Sequence, residues 1–246
     1  MSDLEQIKAA SDHLVKLRFP ELPRPPISHD EPPTAKLVAW GSRMYCYSLL
    51  AHFCEMLGSF LTLAEMGLVP ASFVIARCLF EMAAHAYYTD KHVKQFMDQN
   101  DIQSAWDFLV EINMGSQYMK EEYGERPEEW PQFAAPRHIA KVIRTFEEWT
   151  AKNQAAATTE YSFLSEFAHP NMAAFSHYYK MERKGDVQTV VTFIEPPREI
   201  SQAPLPYVSL SILACLFFTH RHLQRTGESD ISPQIARINP DFAPAP

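Results

Sequence analysis

Apolar residues recur at three- and four-residue spacing along most of the chain, and the places where that rhythm stops mark its elements. Leu4, Ile7, Leu14 and Leu17 share one face of a short amphipathic helix over residues 3–18. "RFPELPRPPISHDEPP" follows. Its prolines lack the donor that a helix interior needs, so this stretch reads as an extended, polyproline-like connection. From Thr34, a good N-cap residue type, a helical pattern runs to about Met66. Gly67 is placed to end it and Pro70 to open the next helix, which runs to about Asn100 with a break expected near Thr89–Lys91. Further helices are predicted over 101–122, 136–152 and about 158–169, the last stopping before Pro170.

Strand-like alternation occurs in one place, "FSHYYKMERKGDVQTVVTFIE", and predicts a β-hairpin at about 175–194. "APLPYVSLSILACLFFTHRHLQRTG" then reads as a final buried helix, with its apolar face over 207–222 and Gly227 closing it. The expected fold is mainly all-α: a helical bundle with one small inserted hairpin. Residues 34–227 would form the bundle domain, 1–33 an N-terminal helix with its proline-rich linker, and 228–246 a proline-rich tail.

Composition sharpens this only a little. Seven glycines in 246 residues weigh against a loop-rich β fold. A formal charge of -8 lacks the basic surplus by which non-specific nucleic-acid binders displace phosphate counterions. Cys46, Cys54, Cys78 and Cys215 are scattered through apolar runs without a C-x-x-C, which suits reduced thiols better than disulfides or zinc. The charged start is unlike a signal peptide, and the most apolar stretch, Tyr207–Phe218, is too short to span a bilayer. The expectation is a cytoplasmic protein with no membrane association.

The candidate chemistry lies in polar stripes on apolar helices. In "SFVIARCLFEMAAHAYYTD", Arg77, Glu81 and His85 sit at i, i+4 and i+8, and Tyr88 continues the line. A helix apolar on its other faces is buried, so these charges need partners. Tyr161, Ser165 and His169 repeat the same spacing, and Ser48, His52, Glu55 and Ser59 form a third stripe. Three such stripes predict a shared polar layer. Within it Arg77, Glu81, Tyr161, Ser165 and His169 form the candidate catalytic cluster, brought together across a helix–helix contact. A metal site is the alternative use of the same helices. Glu166-x2-His169 fits one arm of a carboxylate-bridged di-metal bundle, and Glu55 and Glu81, with His52, His85 or His177, would supply further ligands. Such bundles carry Glu-x-x-His twice, and only one copy is present. No cofactor is assigned by the sequence.

Arg77-x3-Glu81, then Tyr161-x3-Ser165-x3-His169-Pro170, then a hairpin and a last apolar helix, resembles an uncharacterised bacterial helical family of unknown function, distantly related to the HEPN domains. The resemblance covers about residues 35–225. It implies an α-helical bundle, often a homodimer, of a kind that cuts RNA in toxin–antitoxin or antiviral defence systems through an arginine four to six residues before a histidine. Ser162 and the run Leu164, Ser165, Glu166, Phe167, Ala168 precede His169 here, so that arginine is missing; Arg77 would have to act from another helix. Three functions stand open at this point: action on RNA or nucleotide with His169 as acid–base group and Arg77 as phosphate-binding cation, a non-catalytic interaction module with a structural polar layer, and a metal enzyme. No glycine-rich phosphate loop and no Gly-x-Ser-x-Gly elbow is present to support a nucleotide fold or a serine hydrolase.

Overall fold

The computed structural model of the chain describes residues 3–17, 32–114, 139–153, 160–168, 179–184, 188–193 and 201–227. Seven helices lie within them: α1 (Asp3–Leu14), α2 (Ala35–Glu65), α3 (Val69–Asp98), α4 (Ile102–Met114), α5 (Ile139–Asn153), α6 (Glu160–Ala168) and α7 (Leu205–Arg225). The described protein is mainly all-α.

Local chemistry sets the helix ends. Thr34 adopts extended dihedrals and its hydroxyl accepts the Leu37 N–H at 3.3 Å, capping α2. Gly67, at φ 69°, reverses the chain beyond the other end. The Leu68 N–H then reaches Leu63 O at 2.9 Å and Gly67 N–H reaches Ala64 O at 3.0 Å, the paired bonds of a Schellman cap. Pro70 follows in the first turn of α3. The sequence gives Thr89–Lys91 as a break, but α3 runs through it without interruption. Its end repeats the Schellman geometry with Asn100 at φ 54°, and Asp101 Oδ1 accepts the Ser104 N–H to start α4.

α3 is the axis of the bundle, touching α2, α4, α5, α6 and α7. Its buried residues Phe73, Ala76, Leu79, Phe80, Ala83 and Ala84 meet Phe53, Leu57 and Phe60 of α2, Phe146 of α5, Leu164 of α6 and Phe218 of α7 in one apolar core. Phe80 meets Phe146 edge-on at 5.1 Å, and Phe218 meets Tyr87 at 4.8 Å and Trp149 at 4.9 Å. α1 docks on α7 and α2, burying Ile7 and Leu14. Gly41 lets α4 approach closely, because a Cβ there would lie 2.9 Å from the Trp106 ring.

α7 carries buried residues on nearly its whole circumference, including Leu205, Val208, Ile212, Cys215, Phe218 and Leu223. It is central to the bundle, packing on α3, α1 and α2. By length and composition α2 and α3 are each long and apolar enough to cross a membrane, a property the sequence reading sought only at 207–218. Both carry buried side chains of the shared core.

Two short backbone segments, β1 (Tyr179–Lys184) and β2 (Gln188–Phe193), pair antiparallel from Tyr179↔Phe193 to Lys184↔Gln188. Residues 169–178, 185–187 and 194–200, which would join them to each other and to the helices, lie outside the described residues. How this pair relates to the bundle is therefore not part of the described fold. Residues 115–122 of the helix expected over 101–122, residues 136–138 of the one expected over 136–152, and the C-terminal tail likewise fall outside it.

Candidate functional site

Four-residue spacing puts Arg77 and Glu81 one above the other on α3, and Arg77 Nε donates to Glu81 Oε1 at 2.9 Å. α6 brings the third member. Leu164 is fully buried, and Phe163 packs edge-on against Phe73 at 5.7 Å and against Tyr207 of α7 at 5.5 Å, so the helix is pinned to α3 and α7 together. One turn before Leu164, Tyr161 lies over Phe80 and presents its phenol to the ion pair. Its hydroxyl accepts from Arg77 Nη2 at 2.6 Å and donates to Glu81 Oε1 at 2.9 Å. The guanidinium carbon also stands 4.9 Å from the Tyr161 ring centroid.

The result is a closed three-way contact of cation, carboxylate and phenol. Arg77 and Glu81 side chains are 23% and 25% exposed, so water reaches one edge. Burial pulls the Arg77 guanidinium down, but the Tyr161 hydrogen bond and the Glu81 charge more than offset it and the net shift is upward. Burial first, then the hydrogen bond and charge of Glu81, push the Tyr161 phenol above its usual range, and Arg77 opposes them. At neutral pH the phenol is therefore a donor and the arginine a fixed cation. His85, the next position along α3, is held below the ordinary imidazole range by burial, with Glu81 acting the other way.

Of the residues that the sequence groups together, the structure joins Arg77, Glu81 and Tyr161. Ser165 lies one turn further along α6, its Oγ buried and without a hydrogen-bond partner among the described residues. His169 and His177 lie outside the described residues. Tyr88 leaves the stripe: it is fully buried and packs on His92 at 4.1 Å and on Phe108. The stripe on α2 does not join the layer either. Ser48, His52 and Glu55 are exposed, and Ser59 Oγ donates back to Glu55 O on its own helix at 2.9 Å. Their helix face is simply the one turned to water. Glu55 and Glu166 are both exposed and do not converge on Glu81. Among the described residues no three His, Cys, Asp or Glu side chains come together as a ligand set. All four cysteines are free; burial pushes the Cys215 thiol up to about 12 and the Cys54 thiol up to about 11, so neither offers a ready thiolate.

A second charged centre escaped the stripe reading. Asp90, also on α3, is completely buried, and both of its oxygens are taken by arginines of α7. Arg221 donates to Oδ2 through Nε at 2.9 Å and also through Nη2, while Arg225 donates to Oδ1 through Nη1. The signal was available: an aspartate in an apolar helix, and two arginines four apart at the end of another, each demand a partner. Nothing local connects them.

A profile of a family of unknown function, DUF5677, matches residues 43–186, more than half of the chain. The match takes in most of α2 and all of α3 through α6, and so contains Arg77, Glu81, Tyr161 and Ser165, and Asp90 without its arginine partners. Searches of curated proteins and of solved structures each found no match. The chain belongs to the DUF5677 family.

Proposed function

We propose that the protein is a HEPN-like cytoplasmic protein of the defence or stress-response type, engaging a phosphate of RNA or of a nucleotide through Arg77. The observation that supports this reading is the way Arg77 is held. Its Nε and Nη2 are anchored by Glu81 and Tyr161, and its Nη1 has no partner among the described residues. With a quarter of the side chain exposed, that leaves an oriented guanidinium edge facing solvent. An arginine fixed on two sides loses little side-chain freedom when it takes an oxyanion on the third. The overall charge of -8 favours recognition of one phosphate at one cation over a broad basic surface. His169, four residues after Ser165 in the sequence, is the acid–base candidate of this reading. The paired strand segments are read as a hairpin inserted before α7, and a homodimer as the assembly.

A second reading, a non-catalytic interaction module, has its own observation: guanidinium, carboxylate and phenol each find a partner within the cluster, as a structural layer requires. Binding and cleavage of a short single-stranded RNA and of nucleoside phosphates would separate the two. Arg77→Lys keeps the charge and removes the fork. Under the first reading it lowers binding or cleavage by about tenfold or more at unchanged folding. Under the second, no ligand is found and the variant loses only stability.

A further inference from the structure

Asp90 is one carboxylate facing two permanently charged guanidiniums, and its two oxygens are spent on three of their N–H groups. Arg221 retains Nη1, and Arg225 retains Nε and Nη2, without a partner among the described residues. Their side chains are 35% and 26% exposed. Carbonyls at the end of α7 already accept from the helix's own cap. His222 O takes the Thr226 N–H and hydroxyl, and Gln224 O takes the Gly227 N–H. Both arginines are also held in place. Arg221 lies 5.0 Å from the rings of Phe217 and of Phe218, and Arg225 makes a longer contact to Asp90 O at 3.5 Å.

Among the described residues the surroundings do not cancel the surplus charge. Lys91, next to Asp90, adds an exposed cation with its Nζ 5.9 Å from the Tyr87 ring. Glu148 of α5 is near enough to influence Tyr87 and is the opposing charge on that side. His222 is buried with Nε2 unpartnered among the described residues, between Asp90 and Arg225 in its electrostatic surroundings, and burial holds it at about 4, so it adds no charge at neutral pH.

We propose that the solvent-facing edge of the Arg221–Arg225 pair is a binding site for a phosphate-class oxyanion, either free phosphate or a small phosphate ester. Two guanidiniums one helical turn apart, both tethered to the same carboxylate, each keep N–H groups to offer. A tetrahedral oxyanion can take a bond from each, whereas a single planar carboxylate is matched by one fork. Occupation would relieve the repulsion of two cations held over one acid. This site is separate from Arg77 and does not rest on the function proposed above.

The test is calorimetric titration and thermal denaturation of the full chain with sodium phosphate and with a nucleoside monophosphate, each against sodium chloride at equal ionic strength. Phosphate, the ester or both should bind and raise Tm beyond the chloride control; which of them does so identifies the source of the group. Arg225→Lys and Arg221→Lys keep charge and a contact to Asp90, and each should weaken binding by about tenfold or more through loss of the fork. Should the lysine variants not fold, phenylglyoxal labelling of the wild-type chain decides, since the ligand must protect Arg221 and Arg225. No response beyond chloride, undiminished binding in both lysine variants, no protection of these two arginines, or a response lost in Arg77→Lys and kept in Arg225→Lys would each overturn the proposal.

Discussion

Arg77 and Asp90 stand on the same helix, about 20 Å apart along its axis at 1.5 Å per residue, and solve the same problem in opposite ways. Each is a charge on an element that is otherwise core. Arg77 finds its counter-ion one turn away on its own helix and borrows a single neutral hydroxyl from α6. Asp90 has no local partner and is neutralised wholly from α7. The first cluster is a quarter exposed; in the second the acid is sealed and only the cations reach water. A local pair survives small movements of its neighbours. A tertiary pair fixes two helices against each other and fails if either moves, because an uncompensated buried charge remains.

The sharpest way to break the contrast is to remove each acid. Asp90→Asn strips both arginines of their counter-ion while leaving the shape nearly unchanged. It should cost about 3 kcal/mol, the low end for a broken buried pair because the arginines can turn to solvent. For a domain of this size that is a fall in Tm of about 6–12 °C by calorimetry. A loss no larger than that of Glu81→Gln would mean the two centres are equivalent and the comparison is empty.

Acid should expose the same asymmetry. His222 sits beside Asp90 and Arg225, fully buried, and titrates at about 4 in the folded protein, burial being the main cause. Unfolded, it returns to about 6.5. The unfolded chain thus binds more protons between these values, and stability rises with pH across the window. The neutral-histidine contribution is complete above about 6.5 and is lost as pH falls toward 4, amounting to roughly 3 kcal/mol for a single site. Urea midpoints measured from pH 7 to pH 4 should fall along this curve and should flatten in His222→Gln. Burial lowers His220 and His85 in the same direction, so a residual slope remains in that variant.

What the sequence showed and hid follows from the same distinction. The helices were legible because apolar spacing and end residues are local: Thr34, Gly67 and Pro70 do in the structure what their types predict. No break falls at Thr89–Lys91: Thr89 and Asp90 are fully buried, on the helix that packs most closely with α7. Arg77, Glu81 and Tyr161 were legible because each stripe is periodic and bounded by bulky apolar residues. The α2 stripe has the same period and faces water, so period alone does not tell a buried polar line from a solvated one. Arg221 and Arg225 lie 131 and 135 residues from Asp90, and no periodicity spans that distance.

Within the first cluster, the contributions should be smaller and separable. Glu81→Gln retains an acceptor for Arg77 but not its charge, and should cost about 1–2 kcal/mol given the partial exposure of the pair. Tyr161→Phe keeps the ring over Phe80 and removes one donor and one acceptor, with an expected cost of about 1 kcal/mol. Because all three groups share contacts, the double variant should lose less than the sum of the singles, measurable as a coupling of about 0.5 kcal/mol or more. Strict additivity would show that the triangle of contacts is not a working unit.

The smallest effect is the most informative about function. Ser165 lies one turn from Tyr161 with a buried hydroxyl that meets no partner among the described residues, so Ser165→Ala breaks no hydrogen bond within them and removes a desolvated polar group. Stability should stay the same or rise by about 1 kcal/mol at most, the opposite sign to every change above. A helical serine usually returns its hydroxyl to a carbonyl of the preceding turn; here it does not. If the hydroxyl is held for a ligand at the Arg77 edge, Ser165→Ala will fold as well as the wild type and bind nucleoside phosphate or RNA more weakly. If it is only an unfilled core position, binding will be untouched. A loss of more than about 1 kcal/mol in stability would instead show that the hydroxyl has a partner outside the described residues.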